Sequence, residues 1–209
     1  MSLRQATTLE IPTPHGPAVA EIDGIARPRF LLVLTHGAGG GVEAPDLLAV
    51  RDAVTPIGGL VARVTQPFRV RGARAPGSAV KQDEAWTALV AALRARHPDL
   101  PLVQGGRSNG ARVACRTARQ AGAGAVVALA FPLHPPGRPE RSRAGELRAA
   151  GVDVLAVSGD RDPFGVPEAA DTARLVVLPG EGHEFKKDPG RVGEAVAEWL
   201  GARMPPAPV

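Results

Sequence analysis

Cysteine is almost missing. Among 209 residues only Cys115 is one, so no intrachain disulfide can form and a cysteine-rich zinc site is excluded. Tyrosine is absent, and aromatic residues make up only 3% of the chain. Surfaces that bind nucleic acid interleave basic side chains with aromatics that stack on bases, so this composition argues against a nucleic-acid partner. Lysine is scarce too: only Lys81, Lys186 and Lys187 are present, which leaves 22 arginines among the 25 basic residues. Long apolar runs are lacking. The stretch from Ala123 to Phe131 is far shorter than the ~20 residues a membrane helix needs, so no membrane span is expected. The N-terminal region carries charges and prolines and no apolar core segment. No signal peptide is read there, and a soluble cytoplasmic protein is expected.

What is present suits a folded chain. Hydrophobic residues make up 44% and charged residues 22%, and the formal net charge is a modest +4. That is enough apolar material for one core. One domain is expected over residues 1–203, followed by a disordered Pro-rich tail, 204–209, in a monomer or small homo-oligomer.

Prolines and glycines punctuate the chain, and between them short β-branched runs alternate with longer amphipathic stretches. Thr7–Ile11 and Ala18–Ile22 read as two edge strands around the turn Thr13–Gly16. Phe30–Thr35 is a continuous apolar run, the pattern of a strand buried on both faces. Further strands are predicted at Gly59–Thr65, Leu102–Gly105, Ala125–Ala130, Val152–Val157 and Leu175–Leu178. Helices are predicted at Pro45–Val54, Lys81–Arg96, Asn109–Gln120, Arg143–Ala150 and Arg191–Arg203, with a helical turn at Glu168–Ala173. Gln66–Gly77 and Pro132–Pro139 read as loops. The alternation predicts an α/β fold: a mostly parallel sheet with helices on both faces.

The strongest chemical signal is G-x-S-x-G, formed by Gly106, Ser108 and Gly110. It lies between a predicted strand and a predicted helix, the context of a nucleophile elbow. There a serine occupies a strained turn, flanking small residues allow close packing, and the helix N-terminus favours developing negative charge. The structural alternative is an N-cap serine with glycines for packing. A serine nucleophile needs a base. His183, in Gly-Glu-Gly-His-Glu-Phe, follows the last strand and precedes the last helix. Asp162 lies on the turn past the strand ending at Val157 and is preferred to Asp160 as the group that orients the imidazole. The order Ser108, Asp162, His183 is that of α/β-hydrolases. An oxyanion hole would use the backbone N–H of Asn109 with that of Ala38, or second Gly39, in the loop His36-Gly-Ala-Gly-Gly-Gly. No G-K-[ST] follows those glycines, so a nucleotide P-loop is excluded.

Four side chains are candidates for contact with substrate. Arg107 sits inside the elbow, and Arg69 belongs to an arginine-rich loop at the carboxyl ends of the strands, where open α/β sheets bind ligands. Solvated arginine is the competing reading for both. His134 could line the pocket mouth, and His36 either contacts substrate or braces its loop. No metal is implied, because paired His and carboxylate ligands are lacking, and no cofactor is called for. Cys115 reads as a core residue.

The segments H-G-A-G-G, G-G-R-S-N-G-A-R, F-P-L-H-P-P-G-R-P-E, G-D-R-D-P-F-G and G-H-E-F together resemble a small α/β-hydrolase group. That group includes the testis-expressed and KAT-regulatory NSL-complex hydrolase-like domains, and is more distantly similar to dienelactone hydrolases. The resemblance runs from about Glu21 to Trp199. It implies a cap-less core with Ser108, Asp162 and His183 in the family's triad positions. Asn109 departs from the Met or Leu frequent at its position and should change the pocket wall. The expected function is a serine hydrolase acting on a small soluble ester or thioester through an acyl-enzyme. A non-catalytic interaction module and an acyltransferase are the alternatives.

Overall fold

The computed structural model describes residues 4–204. Strands β1 (Arg4–Ile11) and β2 (Ala18–Gly24) form an antiparallel hairpin that pairs Leu9 with Ala20 and Ile11 with Ala18. The chain then alternates: β3 (Phe30–Thr35), α1 (Pro45–Val54), β4 (Gly59–Thr65), α2 (Pro67–Val70), α3 (Ala79–Arg96), β5 (Leu102–Arg107), α4 (Asn109–Ala121) and β6 (Ala125–Leu129). It continues through α5 (Ala144–Arg148), β7 (Asp153–Gly159), a 3₁₀ turn at Ala169–Asp171, β8 (Arg174–Leu178) and α6 (Gly190–Gly201). The eight strands form one sheet in the order β1-β2-β4-β3-β5-β6-β7-β8. β2 meets β4 antiparallel, and every pairing from β4 to β8 is parallel.

Every residue of β3 is buried, because helices cover both faces of the sheet. Leu31 and Val33 pack on one side with Trp86, Leu89 and Leu93 of α3 and Val113 and Ala114 of α4. Phe30, Leu32 and Leu34 point the other way, toward Leu47, Val50 and Val54 of α1 and Val192, Val196 and Trp199 of α6. Cys115 is buried in the first of these layers, and burial pushes its thiol up to about 12, so it stays protonated and inert.

Two buried polar residues lock the layers in register. Gln104 of β5 accepts from Trp86 Nε1 (3.0 Å) and donates to the Ala114 carbonyl (2.6 Å) and Thr117 Oγ1 (3.1 Å), so α3 and α4 are fixed on the strand that leads to Ser108. Arg63 of β4 donates to Glu21 of β2, to Glu43 and to the Val42 carbonyl. This ties the end of the glycine-rich loop to the sheet. Burial alone would lower the Arg63 pKa, but these carboxylates outweigh it and raise it.

Several element boundaries differ from the sequence expectations. The loop over residues 66–77 begins with the one-turn helix α2, for which Pro67 supplies a preset φ at the first helical position. Helix α3 starts at Ala79, where the Ser78 side chain accepts from the Lys81 N–H. Strand β5 runs on to Arg107, because Gly106 still pairs with Thr35 and Arg107 with Leu129. The turn after β7 is 3₁₀. Residues 205–209 of the expected tail lie outside the described residues. Met204 is held, its carbonyl accepting from Arg29 Nη2 (3.0 Å). Among the described residues no helix is long and apolar enough to cross a membrane, and no separate cap domain interrupts the alternation.

Candidate active site

Ser108 stands between β5 and α4 with φ 54° and ψ −115°, a left-handed conformation that costs a non-glycine residue ~1–3 kcal/mol. The packing around it enforces the turn. A Cβ on Gly106 would lie 2.8 Å from the Thr35 carbonyl oxygen, and one on Gly110 would lie 2.8 Å from the His36 carbonyl oxygen. Only hydrogen at both positions lets strand, helix and loop approach this closely.

His183 Nε2 lies 2.9 Å from Ser108 Oγ, and His183 Nδ1 lies 2.8 Å from Asp162 Oδ2. The carboxylate can only accept at Nδ1, so Nδ1 carries the proton and Nε2 faces the hydroxyl as acceptor. The Asp162 side chain is fully buried, and its other oxygen accepts the Phe164 N–H at 2.8 Å. The Phe164 ring packs on the imidazole with centroids 4.3 Å apart. Asp160 is exposed and accepts the Gly180 N–H at 2.7 Å, closing the ends of β7 and β8 rather than pairing with Arg161.

The base loop is held from below. Glu181 is 2% exposed and accepts the N–H groups of Asp188 (2.7 Å) and Lys187 (3.3 Å). Gly159 at the end of β7 lies directly under it, where a Cβ would come within 2.3 Å of the Glu181 carbonyl oxygen.

The N–H of Asn109 is the first of α4 and has no intrahelical acceptor. Among the described residues, no group accepts from the N–H of Ala38, Gly39 or Asn109. Ala38 is half-buried and Gly39 exposed. The Asn109 side chain turns away from Ser108 and donates to Gln82 Oε1 of α3 at 2.7 Å. Gln82 also lines a cavity of about 480 Å³, together with Gln66, Phe68, Arg71 and Lys81. A second cavity, about 450 Å³, is lined by Pro163, Phe164, His183, Glu184 and Lys186.

Two side chains expected to meet substrate are committed elsewhere. His36 is fully buried, with Nδ1 2.8 Å from the Gly37 carbonyl and Nε2 accepting the Gln66 N–H at 3.1 Å. Both ring nitrogens are used, so His36 braces the start of the glycine-rich loop after β3 against the segment that follows β4. Burial lowers its pKa, in keeping with the neutral ring this pairing requires. Arg107 is 8% exposed and turns inward: Nη2 donates to the His183 carbonyl (3.1 Å), and Nε lies 3.2 Å from Asp46 Oδ2. Arg69 Nη2 donates to the Gly39 carbonyl at 3.2 Å, at the rim of the glycine-rich loop. His134 Nδ1 lies 2.9 Å from the Pro135 carbonyl, and its ring packs against Gly165 of the acid loop. Asp46 and Glu181 were not singled out from the sequence. Asp46 reads only as an acid in the first turn of a helix, and Glu181 only as a neighbour of His183.

Residues 28–196 match the alpha/beta hydrolase domain family. Among curated proteins none matches the chain. Similar solved structures include an α/β serine hydrolase without lid from Xanthomonas campestris, 19% identical over 98% of this chain and 97% of that one, with a TM-score of 0.77. An α/β serine hydrolase homologue from Coxiella burnetii is 17% identical over 96% of this chain and 100% of that one, TM-score 0.78. A dienelactone hydrolase from Anabaena variabilis is 17% identical over 96% of this chain and 99% of that one, TM-score 0.74. At these identities the likeness is one of fold. By the family match over residues 28–196 and the sheet that carries it, the chain belongs to the alpha/beta hydrolase domain family.

Proposed function

We propose that the protein is a serine hydrolase that cleaves a small soluble carboxylic ester or thioester through an acyl-enzyme on Ser108. The observation that carries this reading is the unbroken line from Asp162 Oδ2 through the His183 ring to Ser108 Oγ, with links of 2.8 and 2.9 Å. In the first step His183 Nε2 takes the Ser108 proton as Oγ attacks the carbonyl carbon. The carbonyl oxygen becomes an oxyanion, stabilised by the N–H groups of Asn109 and of Ala38 or Gly39. Asp162 holds the tautomer and stabilises the imidazolium. The imidazolium then protonates the leaving oxygen or sulfur, which departs with the electron pair of its bond to carbon. Water enters, gives a proton to Nε2 and attacks the acyl carbon. Collapse of the second oxyanion returns the proton to Ser108 and releases the acid.

The cavity of about 450 Å³ that His183 lines supports a substrate of small size. The esterase and serine hydrolase names carried by neighbours of this fold support ester chemistry. Within the family we propose the NSL-complex and testis-expressed hydrolase-like group, which the motifs around Ser108, Asp162 and His183 resemble. We place the protein in the cytoplasm, acting as a monomer or small homo-oligomer without metal or cofactor. The test is turnover of short-chain p-nitrophenyl esters. Ser108→Ala should lower kcat by ~10³-fold or more in a protein that still folds. Equal turnover by a folded Ser108→Ala chain contradicts the reading.

A further inference from the structure

We propose that Arg107 and Asp46 form a buried positioning pair that holds His183 at its working distance from Ser108. The proposal rests on the hydrolase reading above and adds two residues to it.

Arg107 is the last residue of β5 and directly precedes the nucleophile, yet its guanidinium reaches three separate segments. Nη2 donates to the His183 carbonyl at 3.1 Å, and Nε stands 3.2 Å from Asp46 Oδ2 in the first turn of α1. Nη1 lies beside Gly40, 3.6 Å from where a Cβ would stand. One cation thus touches the base loop, the glycine-rich loop and a helix end. Asp46 is fully buried, and among the described residues neither of its oxygens accepts a side-chain hydrogen bond. Burial pushes its carboxyl up, and the Arg107 charge is the main force opposing that, with His183 contributing less. Removing either partner leaves a buried charge uncompensated next to the base.

The pair bears on chemistry because Arg107 grips the backbone of the residue whose ring must meet Oγ. Displacement of a catalytic group by ~1 Å costs up to ~10²-fold in rate. The other charged groups facing His183 are Asp162, at Nδ1, and Glu184, which is paired with Lys186. Among the described residues neither Asp162 nor Glu184 is ion-paired with Arg107 or Asp46, although the Arg107 charge also helps to lower the Glu184 pKa; Arg107→Met and Asp46→Asn below each remove one charge. Losing the cation of Arg107 favours a protonated imidazole, and losing the anion of Asp46 disfavours it.

The test uses the full chain and the variants Arg107→Met, Arg107→Lys and Asp46→Asn. Three readouts are needed: kcat and KM on a neutral short-chain ester, the acid limb of the pH–rate profile, and the rate of Ser108 labelling by a fluorophosphonate. Arg107→Met should lower kcat and labelling by ~10- to 100-fold with KM within about twofold, and should move the acid limb to higher pH. Arg107→Lys should recover part of the rate, since one ammonium reaches one partner at a time. Asp46→Asn, which keeps the side-chain volume, should move the acid limb to lower pH, and it decides alone if Arg107→Met does not fold. Unchanged kcat in folded variants, or acid limbs that move the same way, overturns the pairing. A raised KM with kcat intact also overturns it and makes Arg107 a substrate ligand. If the native chain is not labelled at Ser108, the hydrolase reading falls, and the proposal with it; normal labelling with unaltered variants removes the pairing alone.

Discussion

Asp162 holds His183 twice over. One carboxylate oxygen lies 2.8 Å from the imidazole Nδ1, and the other accepts the Phe164 N–H, folding the acid loop so that the Phe164 ring packs on the same imidazole. A single side chain sets both the tautomer of the ring and its packing partner. Asp160, two residues earlier, is spent on the Gly180 N–H and ties two strand ends together.

Substitution therefore separates the two carboxylates. Asp162→Asn should lower kcat by up to ~10⁴-fold, because the amide supplies no charge and can impose the wrong tautomer. Asp160→Asn should leave kcat within about twofold, as surface changes of this kind usually cost under ~0.5 kcal/mol. Steady-state kinetics on one short-chain ester measures both. The assignment is reversed if Asp160→Asn is the crippling change.

His36 predicts a pH dependence of stability. Its folded-state pKa is lowered below 6.5 by burial, so the unfolded chain takes up a proton that the folded chain resists. The stability from a neutral His36 is full above about 6.5 and is lost as the pH falls through the folded value. His36→Gln removes this titration. The gap in Tm between native and variant chains should be widest at neutral pH and should narrow on acidification. Thermal melts across that range show a constant or widening gap if the account is wrong.

Glu146 predicts a second dependence, at lower pH. Burial pushes its carboxyl up, but a two-armed hydrogen bond from Arg112 (2.8 and 2.6 Å) and the charges of Arg112 and Arg116 outweigh this and hold it below 4.5. The bond ties α5 to α4. Glu146→Gln should cost ~2 kcal/mol at neutral pH, the range for hydrogen bonds to charged groups. This stabilisation is present above 4.5 and is lost as the pH falls through the folded value, so the two chains should converge in acid. Urea unfolding at neutral and acid pH measures the difference, and a cost that persists unchanged in acid contradicts the assignment.

Much of the scaffold was legible because local pattern and burial coincide in it. The apolar run Phe30–Thr35 can only be a strand covered on both faces, and the helical recurrence of Leu89 and Leu93 marks the buried side of α3. The glycines around Ser108 likewise announce a close approach that the packing requires. What was not legible depends on contacts between distant segments. The carboxyl end of β5 reads as a loop because glycines have no side chains to show a pattern, yet the neighbouring strands continue the ladder through it. His36 and Arg107 read as polar groups near a site, and nothing local says that Gln66 and Asp46 will claim them. Asp46 sits at a helix start, where an acid needs no further explanation, and only the folded chain shows it buried against a guanidinium.

The central claim is that Ser108 is a nucleophile activated by His183. It is tested most directly by treating the purified chain with a fluorophosphonate and mapping the adduct by mass spectrometry. The account predicts one covalent phosphonyl group per chain, located on Ser108, formed quickly in the native protein and far more slowly in His183→Ala. Absence of the adduct, or an adduct on another residue with Ser108 unmodified, would contradict it.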